Sequence, residues 1–146
     1  IEQIKQAVVQ AGMDVVVGSG TLTINEALDK FAVNKGVEIR AAINDGILTG
    51  QTNQQIAAQI KDFGDNLHKG QINALVRTSI NNASTQARRI VTEENQNILK
   101  GDEWVATLDS RTTLICGGRD GNIYPINSGP FPPAHWNCRS LRVPVV

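Results

Sequence analysis

Apolar residues recur at helical spacing through most of the chain, and after residue 100 they stop doing so. Ile1, Ile4, Val8 and Ala11 share one helix face. Gly12 ends that stretch, and Val15, Val16 and Val17 before Gly18-Ser19-Gly20 read as a short extended piece and a loop. Thr23 with Glu26 three residues on has the capping-box pattern and opens a helix with Ile24, Leu28, Phe31 and Ala32 as its stripe. Val37, Ala41 and Ile43 to Ile47 extend the stripe, with Gly36 as a break and Gly46 and Gly50 closing the helix. Thr52 caps a short helix that turns Ile56, Ala57 and Ile60 inward. After a Gly64-Asp65-Asn66 turn, the spacing predicts a long helix over residues 68–99 with the stripe Ile72, Val76, Ile80, Ala83, Ala87 and Ile90. Beside it runs a polar stripe, Arg77, Asn81, Ser84 and Arg88. It reads as a solvated face, the alternative being that Arg77 enters a polar network under the C-terminal segment.

Lys100-Gly101-Asp102 closes the long helix, and the periodicity changes. Glu103 to Leu108 reads as a strand, Ile123-Tyr124 as a second after the Asp120-Gly121-Asn122 turn, and Leu141 to Val146 as a third, with Pro144 favouring an edge. Ser128 to Pro133 is an irregular loop, because prolines cannot donate to a ladder. The expected class is α+β: a helical body with one long helix, then a small antiparallel β unit with a proline-rich loop. Residues 1–34 read as a helical N-terminal extension or a linker to a missing part, and 35–146 as the domain, with helices over about 37–100 and the β unit over about 103–146. The chain starts at Ile1 and enters helical pattern at once, so a fragment or processed chain is expected.

Composition narrows the function classes. Net charge is zero and pI about 6.9, so the basic excess usual for nucleic-acid-binding domains is missing. No apolar run reaches the roughly 18 residues of a membrane helix. Two cysteines are too few for a disulfide-rich scaffold.

Chemistry concentrates between Trp104 and Arg142, which hold both cysteines, both tryptophans, the tyrosine and one of two histidines. Cys116, His135 and Cys138 could ligate zinc, with Asp120, Asp109 or His68 as a fourth ligand, but no C-x-x-C pair supports this. A Cys116–Cys138 disulfide and two buried free thiols are the other readings. A nucleophile reading takes Cys116 with His135 as base and Asp109 as orienter. The zinc-deaminase signature is absent, since Ala134-His135-Trp136-Asn137 has no glutamate and Cys138 no partner three residues on. Gly117-Gly118-Arg119-Asp120-Gly121 is not a phosphate loop, and its glycines are expected to serve a tight turn. Thr52 to Ile60 resembles the first helix of a helix-turn-helix, though ordinary helix packing is the preferred reading. Asp109 and Arg111 suggest a buried ion pair, or pairing with Arg77.

Several short motifs in order carry a family resemblance over about residues 35–146. Leu75-Val76-Arg77-Thr78 with Asn82 resembles an A-R-T-E helix, and Trp104 to Thr112 a W-x-A-x-x-D-x-R-T strand and turn. Cys116, Asp120-Gly121 and Tyr124-Pro125 resemble C-x-x-x-D-G-x-x-[FY]-P, and Pro132 to Arg139 resembles P-P-x-H-x-N-C-R. The family is that of the phage head morphogenesis proteins, the Mu protein F-like minor head proteins. Ser79 stands where the family usually has Glu, and Ser140 where it usually has a second cysteine, which removes a thiolate from any shared metal cluster. The resemblance implies a non-catalytic minor structural protein of a tailed-phage head, without a cofactor. Its partners would be the portal and other head proteins and, by proximity, packaged DNA, with no membrane. Its place would be the virion, in the head interior or at the portal vertex, and the host cytoplasm during assembly. Arg77, Thr78, Asp109, Arg111, Cys116, Asp120, Gly121, His135 and Cys138 are then scaffold: Asp109, Arg111 and Arg77 a polar network, Gly121 the turn, and His135 and Cys138 pins holding the proline loop to the sheet. The domain also occurs joined to toxin modules. The alternatives are accordingly a small enzyme or toxin-linked hydrolase-like module using Cys116 and His135, or a zinc-stabilised binding module.

Overall fold

The computed structural model describes residues 33–61 and 69–146. The expected elements before Val33, the 64–66 turn and His68 lie outside the described residues. Three helices, α1 (Val33–Leu48), α2 (Asn53–Lys61) and α3 (Lys69–Glu94), precede a β unit of β1 (Gly101–Val105), a short helix α4 (Leu114–Arg119), β2 (Ile123–Tyr124) and β3 (Leu141–Val145). This is the α+β arrangement that the change of periodicity implies.

The helical layer closes on Ile39, Ile43, Ile56, Ala57, Ile60, Ile72, Leu75 and Val76. Thr52 caps α2 reciprocally: its Oγ1 accepts from Gln55 N at 3.2 Å, and its own N–H donates to Gln55 Oε1 at 2.8 Å. Helix α1 departs from expectation. It runs through Gly36 and Gly46, Val37 and Ala41 face solvent, and Ile39 and Ile43 are buried. Gly46 is not a helix end. A Cβ there would fall inside contact distance of the Ile56 side chain, so Gly46 is the place where α2 approaches α1. Gly50, at φ 72°, is the residue that reverses the chain.

Helix α3 follows its expected stripe for half its length. Ile72, Val76 and Ala83 are buried, but Ala87 and Ile90 are exposed, and the buried face continues instead through Thr78, Ser79, Asn82, Thr85 and Thr92. The β unit docks on that polar face. The helix stops at Glu94, short of residue 99, because Asn95 Nδ2 donates to Val91 O at 2.7 Å and turns close over residues 92–98. Strand β1 therefore starts at Gly101, within the segment expected to close the helix. The sheet has the order β2-β1-β3, both pairings antiparallel, with Glu103 opposite Ile123 and Trp104 opposite Arg142. Pro144 lies in β3, the strand flanking β1 on the side away from β2.

Gly46→Ala tests the α1–α2 contact. Alanine ordinarily gains about 1 kcal/mol over glycine within a helix. Here the added methyl meets fully buried Ile56, and we expect a net loss of about 1–3 kcal/mol in chemical denaturation. The Gly46→Ala/Ile56→Ala double variant should be less destabilised than the sum of the two singles.

Candidate functional site

The β unit has a small apolar core: Trp104, Ala106, Cys116, Ala134 and Cys138, with Tyr124 packed against it. Cys116 reaches it on α4. Thr113 is the N-cap, its Oγ1 accepting from Cys116 N at 3.3 Å. Gly117 and Gly118 therefore lie in a helical turn and not in the tight turn expected of them. Helix α4 points Leu114 and Ile115 outward and leaves Cys116 3% exposed. Asp120 closes the far end, its Oδ1 accepting from Ala106 N at 2.8 Å. Gly121, at φ 77°, donates its N–H to Trp104 O at 2.8 Å. A side chain is strained at that φ, which accounts for glycine in the turn.

His135 and Cys138 meet Cys116 from the other side. After Pro132 and Pro133, the chain turns through a Cys138 N–H bond to His135 O at 3.2 Å, with Asn137 at φ 60°. Cys116 Sγ lies 3.2 Å from His135 Nε2 and 3.7 Å from Cys138 Sγ. Both cysteines are free thiols, so the disulfide reading is set aside. His135 Nδ1 is 2.8 Å from Trp136 O. A carbonyl only accepts, so Nδ1 carries the proton and Nε2 presents its lone pair to Cys116. Burial, the largest influence, pushes the Cys138 thiol above its ordinary pKa, against backbone hydrogen bonds from Ala134 and Ser140 that favour the thiolate. The arrangement offers two thiol sulfurs and one imidazole nitrogen within 4.8 Å of one another.

The expected polar network is built differently. Asp109 is held by Arg139, whose Nη1 and Nη2 donate to Oδ2 and Oδ1, each at 2.6 Å. Arg111 N also donates to Oδ1, at 2.9 Å, while the Arg111 guanidinium sits 3.5 Å away and 71% exposed. The Asp109–Arg111 pair is thus not buried, and Arg77 points to solvent on α3, outside this network. The Arg139 hydrogen bonds, then the Arg111 N–H, hold the Asp109 carboxyl well below the usual carboxylate range. Asp109 does not orient His135; Trp136 O does.

The stripe expected to be a solvated face is solvated at Arg77 and Arg88 but not at Asn81, which fastens the β unit to α3. Asn81 Nδ2 donates to Cys138 O at 2.8 Å and Ser140 O at 3.1 Å. Thr78 Oγ1, a predicted site residue, accepts from Asn137 N at 3.0 Å. Trp136 packs on the helical core, so residues 135–138 straddle both cores. Arg142 holds the proline loop, a role expected of His135 and Cys138. Its Nη1 donates to Ser128 O (2.7 Å) and Pro130 O (3.3 Å), its Nη2 to Pro125 O (3.1 Å) and Tyr124 O (3.4 Å). Nη2 also lies 3.5 Å from Asp102 Oδ2, both side chains being buried, and the guanidinium stacks on Phe131, as does Arg89 from α3. Burial raises the Asp102 pKa, with Arg142 pulling it back. The sequence signal for Arg142 was a charged residue at an inward position of an otherwise apolar strand.

The Phage Mu protein F like protein family matches residues 37–142, and the chain belongs to that family, one of phage head morphogenesis proteins. An "Uncharacterized protein" of Haemophilus influenzae (strain Rd) is 30% identical over 116 residues, covering 75% of this chain and 25% of that protein. The chain thus spans about a quarter of the length of the curated relative it matches. No solved structure matches. Among the described residues no helix is long and apolar enough to cross a membrane.

Two substitutions test this geometry. Arg142→Met leaves Asp102 buried without its cation and should cost about 3–5 kcal/mol at neutral pH. The loss should shrink in acid, because protonated Asp102 is neutral and no longer needs a cation. Thermal melts across pH check both statements. Asp109 acts in the opposite sense. Its folded-state pKa is depressed, so its contribution is complete above its unfolded pKa of about 3.9 and fades as pH falls below that. Asp109→Asn should lower the melting temperature at neutral pH and flatten the acid side of the stability profile below about pH 4.

Proposed function

We propose that the chain is a non-catalytic structural module of a tailed-phage head that binds the portal protein. In this reading it enters the head during assembly in the host cytoplasm and stays in the virion at the portal vertex, near the packaged DNA. Family membership supports the head role. One observation carries the non-catalytic part: Cys116, the nucleophile an enzyme reading requires, is 3% exposed inside the β core. The hollow beside it is open to solvent and has room for only about 10 Å³ of water-sized contents, far below the roughly 300–1,000 Å³ of small-molecule sites. The β unit exposes large aliphatic side chains, Leu108 at 68%, Leu114 at 94% and Ile123 at 57%, which suit contact with a protein.

The test is retention of the purified chain on immobilised portal protein from the same phage, with mass spectrometry of DNA-filled heads. Wild type should be retained and found in the heads. Leu114→Asp, at an exposed position, should weaken retention at least tenfold without moving the melting temperature. Failure of the portal to retain folded wild type would sink the proposal.

A further inference from the structure

We propose that Cys116, His135 and Cys138 bind one zinc ion through Sγ, Nε2 and Sγ, with solvent from the adjoining hollow as the fourth ligand, and that this ion staples α4 to the turn after the proline loop. The sequence reading took these residues as structural pins without a metal, because no C-x-x-C pair is present and Ser140 stands where another thiolate might have completed a set. The geometry answers that objection: the donors come from separate segments and converge without a C-x-x-C pair.

Distances come first. Tetrahedral zinc with sulfur at about 2.3 Å holds two thiolates about 3.8 Å apart. Cys116 Sγ and Cys138 Sγ are 3.7 Å apart, whereas a disulfide would need about 2.0 Å. Cys116 Sγ to His135 Nε2, at 3.2 Å, is within a few tenths of an ångström of a tetrahedral sulfur–nitrogen edge, about 3.6 Å for these bond lengths. The outer shell is also in place. The Nδ1–H bond to Trp136 O fixes the tautomer whose Nε2 is free to ligate, as second-shell partners of metal-bound histidines do. The hollow lined by Thr113, Asn137, Arg139 and Ser140 reaches Cys116 and His135 and gives solvent a way to the fourth position.

The chemistry balances without a redox partner. Two S–H bonds break, two protons pass to solvent and two zinc–sulfur bonds form, leaving a neutral core of one dication and two thiolates. A neutral cluster suits a buried site better than bare thiolates would. There is also something for the ion to stabilise: the core of this unit holds five residues, two of them these cysteines. This inference does not depend on the portal reading, since a metal staple serves any partner.

The untagged full chain, reduced, equilibrated with zinc and freed of excess, should carry one zinc per chain by elemental analysis. Cobalt in its place should give a thiolate-to-cobalt charge-transfer band and the visible bands of a tetrahedral site. Cys116→Ser, His135→Ala and Cys138→Ser should each weaken zinc binding at least tenfold in competition with a chromogenic chelator. A chelator should lower the melting temperature of wild type but not of Cys138→Ser. Should the variants fail to fold, the cobalt spectrum of wild type decides alone. Folded, reduced wild type with substoichiometric zinc, or a cobalt form lacking the charge-transfer band, overturns the proposal, as does unchanged zinc affinity in a folded His135→Ala protein.

Discussion

A guanidinium buried between a helix and a sheet is expensive to strip of water, and hydrogen bonds to its donors offset that cost. Arg142 turns Nη1 and Nη2 to the carbonyls of Tyr124, Pro125, Ser128 and Pro130, beside the Asp102 carboxylate, while its buried Nε has no hydrogen-bond partner among the described residues. The loop carries prolines that cannot donate and has no ladder of its own, so its carbonyls need a donor from elsewhere. Arg142 supplies that donor from the second residue of β3, opposite Trp104. A lysine there would keep the charge and lose the fork. The position of Phe131, stacked by both Arg142 and Arg89, then ties the ordered loop to α3.

The two halves of the molecule meet through different chemistry from that inside either half. Helices α1, α2 and the first half of α3 close on isoleucine, leucine and valine. The middle of α3 presents Thr78 and Asn81 to a backbone that runs irregularly through residues 137–140. Irregular backbone brings unpaired N–H and C=O groups, and short polar side chains on a helix are suited to meeting them. Such an interface fixes orientation by hydrogen-bond direction, where an apolar one would tolerate sliding.

This explains which parts of the fold could be read from the residues. The α2 cap at Thr52, the first half of the α3 stripe and the β2 position were legible because propensity and local chemistry decide them. Ala87 and Ile90 were misassigned because helical periodicity presumes an apolar partner, and the partner here is a polar loop. Gly46 looked like a helix end, since a glycine that stops a helix and one that admits a neighbour are the same letter. Arg111 or Arg77 was expected to pair with Asp109, and Arg139 was not foreseen, because only the folded turn after Pro133 brings residue 139 round to residue 109. Within Cys116, His135 and Cys138 the residue types were evident, but their convergence was not. It depends on the Thr113 cap turning Gly117 and Gly118 into a helix.

The order of the strands bears on how the protein is made. The central strand, β1, pairs along its whole length with β3, Gly101 opposite Val145, and the residue that orders the intervening loop arrives on β3 itself. As the chain leaves the ribosome, the helical layer is complete while β1 still lacks one flank and the loop still lacks its donor. Pairings this distant in sequence form slowly. A nascent chain short of Leu141 therefore carries a folded helical layer beside an open strand edge, which makes this interval of synthesis the one in which a chaperone has most to cover.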